Sequence, residues 1–164
     1  FDPTLKTKKV RVGILIYGET TKQLLALDNK KTTNEVVNLL SNMNLKKEDK
    51  LCRTMTHLAL KEVQTIMSST KRNNTAQLIL LITDGLTFFR RYRNKLYKTR
   101  NELKKDGVIL NVVSMPHKKG KFEEEEFVKL PHDIERNYFN GSDPDVANAV
   151  MEQIANDAPC PKTP

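Results

Sequence analysis

The sequence has little of what several classes of protein require. Its 164 residues contain no tryptophan and two cysteines, Cys52 and Cys160, which are too few to form a disulfide framework. No apolar run approaches the roughly 18 residues that a membrane-spanning helix needs. No P-loop, dinucleotide-binding fingerprint or nucleophile elbow occurs, and the histidines have no metal-ligand spacing. These absences argue against a disulfide scaffold, a membrane span and the common catalytic motifs.

Acidic residues are fewer than basic ones, and the chain carries a formal net charge of +8 at pH 7. That charge allows an acidic partner such as a sulfated glycan, and it is equally explained by solubility. The densest basic segment, residues 88–105, is predicted to be a helix with these cations: Arg90, Arg91, Arg93, Lys95, Lys98 and Arg100. They could bind a polyanion in a salt-sensitive way, or form a solvated face that the acidic run at residues 123–126 partly neutralises. Both interpretations stay open.

A hairpin and two amphipathic helices are predicted in the first half of the chain. Three residues join the apolar segments 10–18 and 22–28, a connection that allows only an antiparallel pair. A helix capped by Thr32 or Thr33 follows. Its predicted buried stripe consists of Val36, Val37, Leu39, Leu40 and Met43. A second helix is predicted over about 55–69, with His57 expected on its surface.

Strands and helices alternate in the second half of the chain. The predicted strands are residues 77–83, 108–115 and 136–139. A helix is predicted at 90–106, and a last helix opens at Asp143-Pro144. The first two strands are apolar without alternation, which is typical of parallel strands covered by helices on both faces. We therefore predict an α/β fold in a single domain over residues 1–164. Its doubly wound, mostly parallel sheet has one antiparallel edge strand and helices on both faces.

Several segments, taken in order, resemble the von Willebrand factor type A domain. They are VRVGILIYG, TMTHLALKEV, LILLITDG and LKKDGVILNVVSM, and the last helix with its trailing cysteine is similar as well. The most specific is LILLITDG, residues 78–85, in which an apolar strand runs into Asp84. The resemblance implies a non-catalytic extracellular module for adhesion or matrix assembly that binds a protein such as collagen. No nucleic-acid partner is expected.

The family resembled carries a metal-ion-dependent adhesion site, in which oxygen ligands from three loops hold a divalent cation, usually Mg²⁺. The resemblance makes Thr54 and Asp84 two of these ligands. The third loop, Asp-x-Ser-x-Ser, has no counterpart in the sequence, and Arg53 stands where the family usually has glycine. A structural matrix domain with an inactive metal site is therefore an alternative, as is a module that binds polyanions.

The resemblance also implies a segment upstream of this sequence. The first strand and helix of the family have no counterpart before Val10, so we expect about 40 residues, upstream or on another chain, to complete the sheet. Cys160 is expected to pair with a cysteine of that segment, whereas Cys52 is a buried thiol or is bridged elsewhere. Asn73 and Asn140 begin glycosylation acceptor patterns, which favour a secreted protein.

Overall fold

The computed structural model describes residues 10–44, 53–72, 74–84, 87–116 and 124–159. The chain divides into two compact units, Phe1–Lys71 and Arg72–Pro164. Three residues with predicted roles lie outside the described residues: Cys52, Asn73 and Cys160. The single domain expected over residues 1–164 stays a prediction.

The first unit begins with the predicted hairpin. Strand β1 (Ile14–Tyr17) pairs antiparallel with β2 (Thr21–Leu25). The connection is residues 18–20, which is too short for a parallel return. The antiparallel pairing predicted from the length of this connection is therefore confirmed.

Helix α1 (Thr33–Ser41) begins with a capping box. The Glu35 backbone N–H donates to Thr32 Oγ1 at 3.4 Å, and the Thr32 N–H donates to Glu35 Oε2 at 2.7 Å. The hydrogen bonds from Thr32 hold the pKa of the Glu35 carboxyl below its usual value, because they stabilise the charged form. The predicted buried stripe is wrong in part, since Val36 is buried but Val37 and Leu40 are exposed. One helical residue turns about 100°, which carries Val37 away from the side of Val36.

Helix α2 (Thr56–Thr70) completes the described part of the first unit. Its buried residues are Thr56, His57, Ala59, Leu60 and Met67. The surface position expected for His57 is wrong, because the side chain shares a helical face with Leu60 and is 7% exposed. Leu58, next to His57, is 40% exposed.

The second unit contains a parallel sheet. Its strands are β3 (Gln77–Thr83), β4 (Val108–Ser114) and β5 (Tyr138–Asn140), in the order β3-β4-β5. Both strand pairs are parallel, as predicted from the alternation of strands and helices. The helices of this unit are α3 (Arg93–Lys105), α4 (Glu124–Lys129), α5 (Ile134–Asn137) and α6 (Val146–Asp157), and a 3-10 turn (Arg90–Tyr92) precedes α3.

Strand β3 is covered on one face, not on both as predicted. Ile79 and Leu81 are buried, whereas Leu80 is 42% and Ile82 is 55% exposed. Successive residues of a strand point to opposite faces, so the exposed pair marks the uncovered face. Among the described strands, β3 pairs with β4 alone. The expected strand that would complete the sheet stays a prediction.

Two further predictions concern the helices that follow β3 and β5. The helix predicted at 90–106 is confirmed as α3, which buries Leu96, Thr99 and Leu103, and the left-handed Gly107 (φ 78°) follows its end. Helix α6 begins at Val146, two residues later than the proline predicted at its first turn. No helix in the described ranges is long and apolar enough to cross a membrane.

Residues 130–132 are tied to α3 by polar contacts. Arg100 donates from Nε to the Leu130 carbonyl at 3.2 Å and from Nη2 to the Pro131 carbonyl at 2.6 Å. His132 Nε2 lies 3.1 Å from the Arg100 carbonyl, and Lys104 Nζ donates to the His132 carbonyl at 3.3 Å. Burial lowers the pKa of His132, and the positive charges of Arg100 and Lys104 lower it further, against backbone hydrogen bonds that raise it.

These contacts predict a loss of stability in mild acid. A histidine whose folded pKa lies below its ordinary value of 6.5 binds fewer protons folded than unfolded. Its contribution is complete above about pH 6.5 and is lost as the pH falls through the folded pKa. We expect the urea midpoint of the wild type to fall more steeply between pH 7 and pH 5 than that of His132→Gln. Equal slopes would contradict a half-buried His132 whose folded pKa lies below its ordinary value.

Candidate functional site

Asp84 lies at the carboxyl end of the β3-β4-β5 sheet. The backbone N–H of Met115 donates to the Thr83 carbonyl, and that of Gly141 donates to the Ser114 carbonyl, each at 2.7 Å. These bonds tie the segments after β4 and β5 to the ends of their neighbouring strands. The Asp84 carboxylate is exposed there and has no partner within the described part of the chain. The carboxyl edge of an open parallel sheet is where α/β folds place ligand sites.

Thr54 lies in a short loop of the first unit, beside the hairpin turn. The Met55 N–H donates to the Gly18 carbonyl at 3.1 Å, which holds residues 53–55 next to the end of β1. Thr54 is half-buried, and its hydroxyl has no hydrogen bond to another described residue. Arg53, whose charge was expected to lie near a cation, is directed toward Glu19 instead, with Nε 3.3 Å from Glu19 Oε1.

The hairpin turn and α2 form an open groove of about 410 Å³ in the first unit. It is lined by Glu19, Thr20, Thr21, Leu58, Lys61, Glu62 and Thr65. Because Glu19 is paired with Arg53 and the wall carries both signs of charge, the groove has no net preference for an ion. Its chemistry favours no particular ligand.

Thr54, in the first unit, and Asp84, in the second, each have an oxygen of the kind that hard cations prefer. Hydroxyl and carboxylate oxygens are the ligands that Mg²⁺ prefers, and both side chains have oxygens not used by other described residues. In the first unit, Thr56 Oγ1 is fully buried without a hydrogen-bond partner in the described structure. The described residues contain no group of three acidic, histidine or cysteine side chains that could hold a metal by themselves. Each of the two side chains therefore offers an oxygen suited to a hard cation, and their joint role in one site stays a prediction.

Thr87 is held to α4 by a buried carboxylate. Glu126 Oε1 accepts hydrogen bonds from the Thr87 N–H at 2.9 Å and the Thr87 hydroxyl at 2.8 Å. Glu126 Oε2 lies 3.2 Å from Arg93 Nε, with the two side chains 1% and 16% exposed. We call Thr87, Glu126 and Arg93 the Glu126 cluster. The acidic run in the sequence suggested neutralisation of the basic helix, but the sequence did not indicate which glutamate would do it.

The predicted polyanion-binding residues fall into two groups in the structure. Arg93 belongs to the Glu126 cluster, and Arg100 donates to the carbonyls of residues 130 and 131, so both guanidinium groups serve internal contacts. The other four side chains are exposed: Arg90, Arg91, Lys95 and Lys98. The surface available to a polyanion is thus smaller than the sequence suggests.

An aromatic group next to these cations was missed in the sequence. The rings of Phe88 and Phe89 lie 4.3 Å apart, and Phe89 meets Tyr92 edge-on at 5.9 Å. The Arg91 guanidinium lies 5.0 Å from the Phe89 centroid and 4.9 Å from that of Tyr92, while Lys95 Nζ is 5.4 Å from Tyr92. The Tyr92 side chain is half-buried. Two consecutive phenylalanines directly before a basic helix were the feature of the sequence that could have indicated this aromatic group.

Asn140, the second predicted glycosylation position, lies at the end of β5 and is exposed. Its Oδ1 accepts a hydrogen bond from the Ser142 N–H at 3.0 Å. The side chain is therefore accessible at a turn, and its modification stays a prediction.

The fold and the Asp84 edge define an open-sheet α/β domain with a polar carboxyl edge, the class in which many ligand-binding modules are found. The family model of the von Willebrand factor type A domain matches residues 2–154. The chain therefore belongs to that family, and the resemblance inferred from its motifs is confirmed. Domains of the family often bind a divalent metal and generally bind protein partners. No curated protein matches the chain.

Solved structures share this fold at low sequence identity. The conserved hypothetical protein BatB from Bacteroides thetaiotaomicron is similar with a TM-score of 0.69 and 13% identity, over 93% of this chain and 84% of BatB. Proximal thread matrix protein 1 from the mussel byssus, with a zinc-occupied MIDAS motif, gives a TM-score of 0.67 and 13% identity, over 88% of this chain and 33% of that protein. The SpRpn10 VWA domain gives a TM-score of 0.60 and 9% identity, over 91% of this chain and 78% of that domain.

Proposed function

We propose that the protein is a non-catalytic module for adhesion or matrix assembly, acting outside the cell by binding a protein such as collagen. The observation that carries this proposal is Asp84, an exposed carboxylate at the carboxyl end of β3 with no partner among the described side chains. Membership of a family of interaction modules supports a binding role. The likeness to a byssus matrix protein supports a role in a matrix.

A divalent cation such as Mg²⁺ would be held by the Asp84 carboxylate and the Thr54 hydroxyl. When bound, it would supply a coordination position that a carboxylate oxygen of the partner can take from water. The other protein ligands belong to the Asp-x-Ser-x-Ser loop expected from the family. The Arg53–Glu19 ion pair supports this assignment, because it directs the nearest guanidinium toward a carboxylate of its own.

The test is binding of the complete protein to immobilised collagen, with Mg²⁺ and with EDTA. We expect Asp84→Ala to weaken binding at least about tenfold in Mg²⁺ and to make EDTA ineffective, since the charged ligand is lost. Asp106→Ala is the matched control, because Asp106 is an exposed carboxylate that precedes β4 at the opposite end of the sheet. Binding to collagen that survives both EDTA and Asp84→Ala would contradict a metal-dependent contact.

A polyanion-binding function is the second candidate. Arg91, Lys95 and Lys98 are exposed and have no carboxylate partner in the described ranges, so a sulfated glycan could reach them. Binding to heparin that weakens steeply with added salt and is unchanged by EDTA would favour this function. Failure of the complete protein to bind Mg²⁺ at all would instead favour a structural matrix domain.

A further inference from the structure

The residues around the 3-10 turn and the start of α3 form an exposed surface that combines rings and cations. We call it the aromatic–basic patch, and it consists of Phe88, Phe89, Arg91, Tyr92, Lys95 and Lys98. Phe88 is 40% and Phe89 is 43% exposed, which is unusual for two large apolar side chains that are adjacent in the chain. None of these residues is a candidate metal ligand. The patch is therefore a feature separate from the Thr54 and Asp84 donors.

The backbone holds the patch in a strained conformation. Phe89 has φ 64° and ψ 104°, a positive φ that an aromatic residue rarely adopts. Such a conformation costs about 1–3 kcal/mol and persists only where the surroundings determine it. Here the surroundings include the Glu126 cluster, which holds Thr87 before Phe89 and Arg93 after it. The two exposed rings thus lie between residues that one buried carboxylate holds.

The cations of the patch lie on one face of the helical segment. Arg91, Lys95 and Lys98 are spaced by four and three residues, which places them on neighbouring turns of the same side. No carboxylate among the described residues pairs with any of the three. Arg91 is ordered by the Phe89 and Tyr92 rings, and its Nη2 donates to the Tyr92 hydroxyl at 3.1 Å. A guanidinium ordered in this way loses less side-chain entropy when it binds a carboxylate.

We propose that the aromatic–basic patch docks an acidic segment of a partner polypeptide, with an apolar side chain covering the two phenylalanines and carboxylates meeting the cations. Aromatic residues and arginine are the side chains that dominate protein–protein binding energy. A sulfated glycan would meet the cations but would not cover the exposed parts of the Phe88 and Phe89 rings. A membrane surface needs a broad apolar helical face, whereas α3 after the two phenylalanines presents lysines and arginines.

The proposal goes beyond the metal-dependent contact proposed above, because it requires neither Mg²⁺ nor Asp84. The test uses the complete protein in EDTA and a fluorescein-labelled peptide that alternates glutamate with leucine and phenylalanine. A second peptide with glutamine in place of glutamate tests the charge requirement. We expect the wild type and Asp84→Ala to bind the acidic peptide alike and to bind the glutamine peptide at least about tenfold more weakly.

Two variants locate the site on the patch. Phe89→Gly removes a ring while supplying the residue that best keeps a positive φ, so the variant is expected to fold. Arg91→Ala removes the ordered cation. Each is expected to weaken peptide binding by about tenfold or more, as truncation of an interface hot spot does. The matched controls are Ile134→Ala, an exposed apolar side chain, and Lys30→Ala, an exposed lysine of the first unit; both are expected to bind normally.

Three outcomes would overturn the proposal. The first is that the acidic peptide does not bind the wild type, or binds the Phe89→Gly and Arg91→Ala variants equally well. The second is that heparin binds through Arg91 without any loss in Phe89→Gly, which would make the patch a polyanion site. The third is that vesicles of phosphatidylserine and phosphatidylcholine bind in a manner that depends on Phe89 while the peptide does not.

Discussion

Replacing Glu126 by alanine is expected to lower the free energy of unfolding by about 3–5 kcal/mol, because it removes one partner of a buried ion pair. The Arg93 side chain, 16% exposed, would keep its charge while its carboxylate 3.2 Å away is lost. The Thr87 N–H and hydroxyl would lose their acceptor as well. A loss of this size is a large share of the stability of an ordinary domain. The urea midpoint followed by circular dichroism measures it.

Two further variants separate the parts of this effect. Glu126→Gln keeps the side-chain shape and an acceptor for Thr87 but removes the negative charge, so its loss is expected to fall between wild type and Glu126→Ala. Glu152→Ala is the control, since Glu152 is an exposed glutamate on α6 and its removal is expected to change stability by less than about 0.5 kcal/mol. A loss below about 1 kcal/mol for Glu126→Ala would mean that the ion pair adds little beyond its own desolvation cost.

Those parts of the fold that depend on local patterns could be predicted from the sequence. The hairpin follows from a connection of residues 18–20, and the start of α1 follows from Thr32 and Glu35 at capping-box spacing. The end of α3 follows from Gly107, whose φ of 78° few other residues adopt. Each of these signals involves residues that are neighbours in the chain.

Burial was predicted less well, because it depends on which neighbours cover a face. An apolar strand with the composition of β3 is expected to be buried on both sides, yet Leu80 and Ile82 are exposed. Helical periodicity locates an apolar stripe but not its width, so the exposure of Val37 could not be predicted. His57 is the opposite case, since a polar side chain shares the buried face of α2.

The candidate site divides in the same way. The roles of Asp84 and Thr54 stay a prediction, made from short motifs with a known order along the chain. Arg93 was assigned to a solvated or polyanion-binding face, since nothing in its local sequence indicates a carboxylate from residue 126. The ring contacts of Arg91 depend on the positive φ of Phe89, which no propensity favours for phenylalanine. Strained and long-range features of this kind are where sequence reasoning is expected to fail.

The second large effect is expected for Gly141→Ala, at the edge of the sheet that carries Asp84. A Cβ atom at Gly141 would lie 2.7 Å from the Ser114 carbonyl oxygen and 2.6 Å from Met115 Sδ. The sulfur can move, but the carbonyl belongs to β4 and also accepts the Gly141 N–H. Overpacking of this kind costs about 1–3 kcal/mol.

Gly107→Asn is the matched control for that prediction, because it separates a steric clash of the added Cβ atom from the strain of a positive φ. A Cβ at Gly107 meets nothing within 4 Å, and asparagine tolerates the left-handed φ of 78° better than other residues with side chains. We therefore expect Gly107→Asn to lose less than Gly141→Ala in urea unfolding, although both replace a glycine at the end of a secondary-structure element. A larger loss for Gly107→Asn than for Gly141→Ala would mean that the backbone at the carboxyl edge of the sheet shifts to accommodate the added methyl group. In that case the segment after β5 is held to β4 less tightly than its 2.7 Å hydrogen bond indicates.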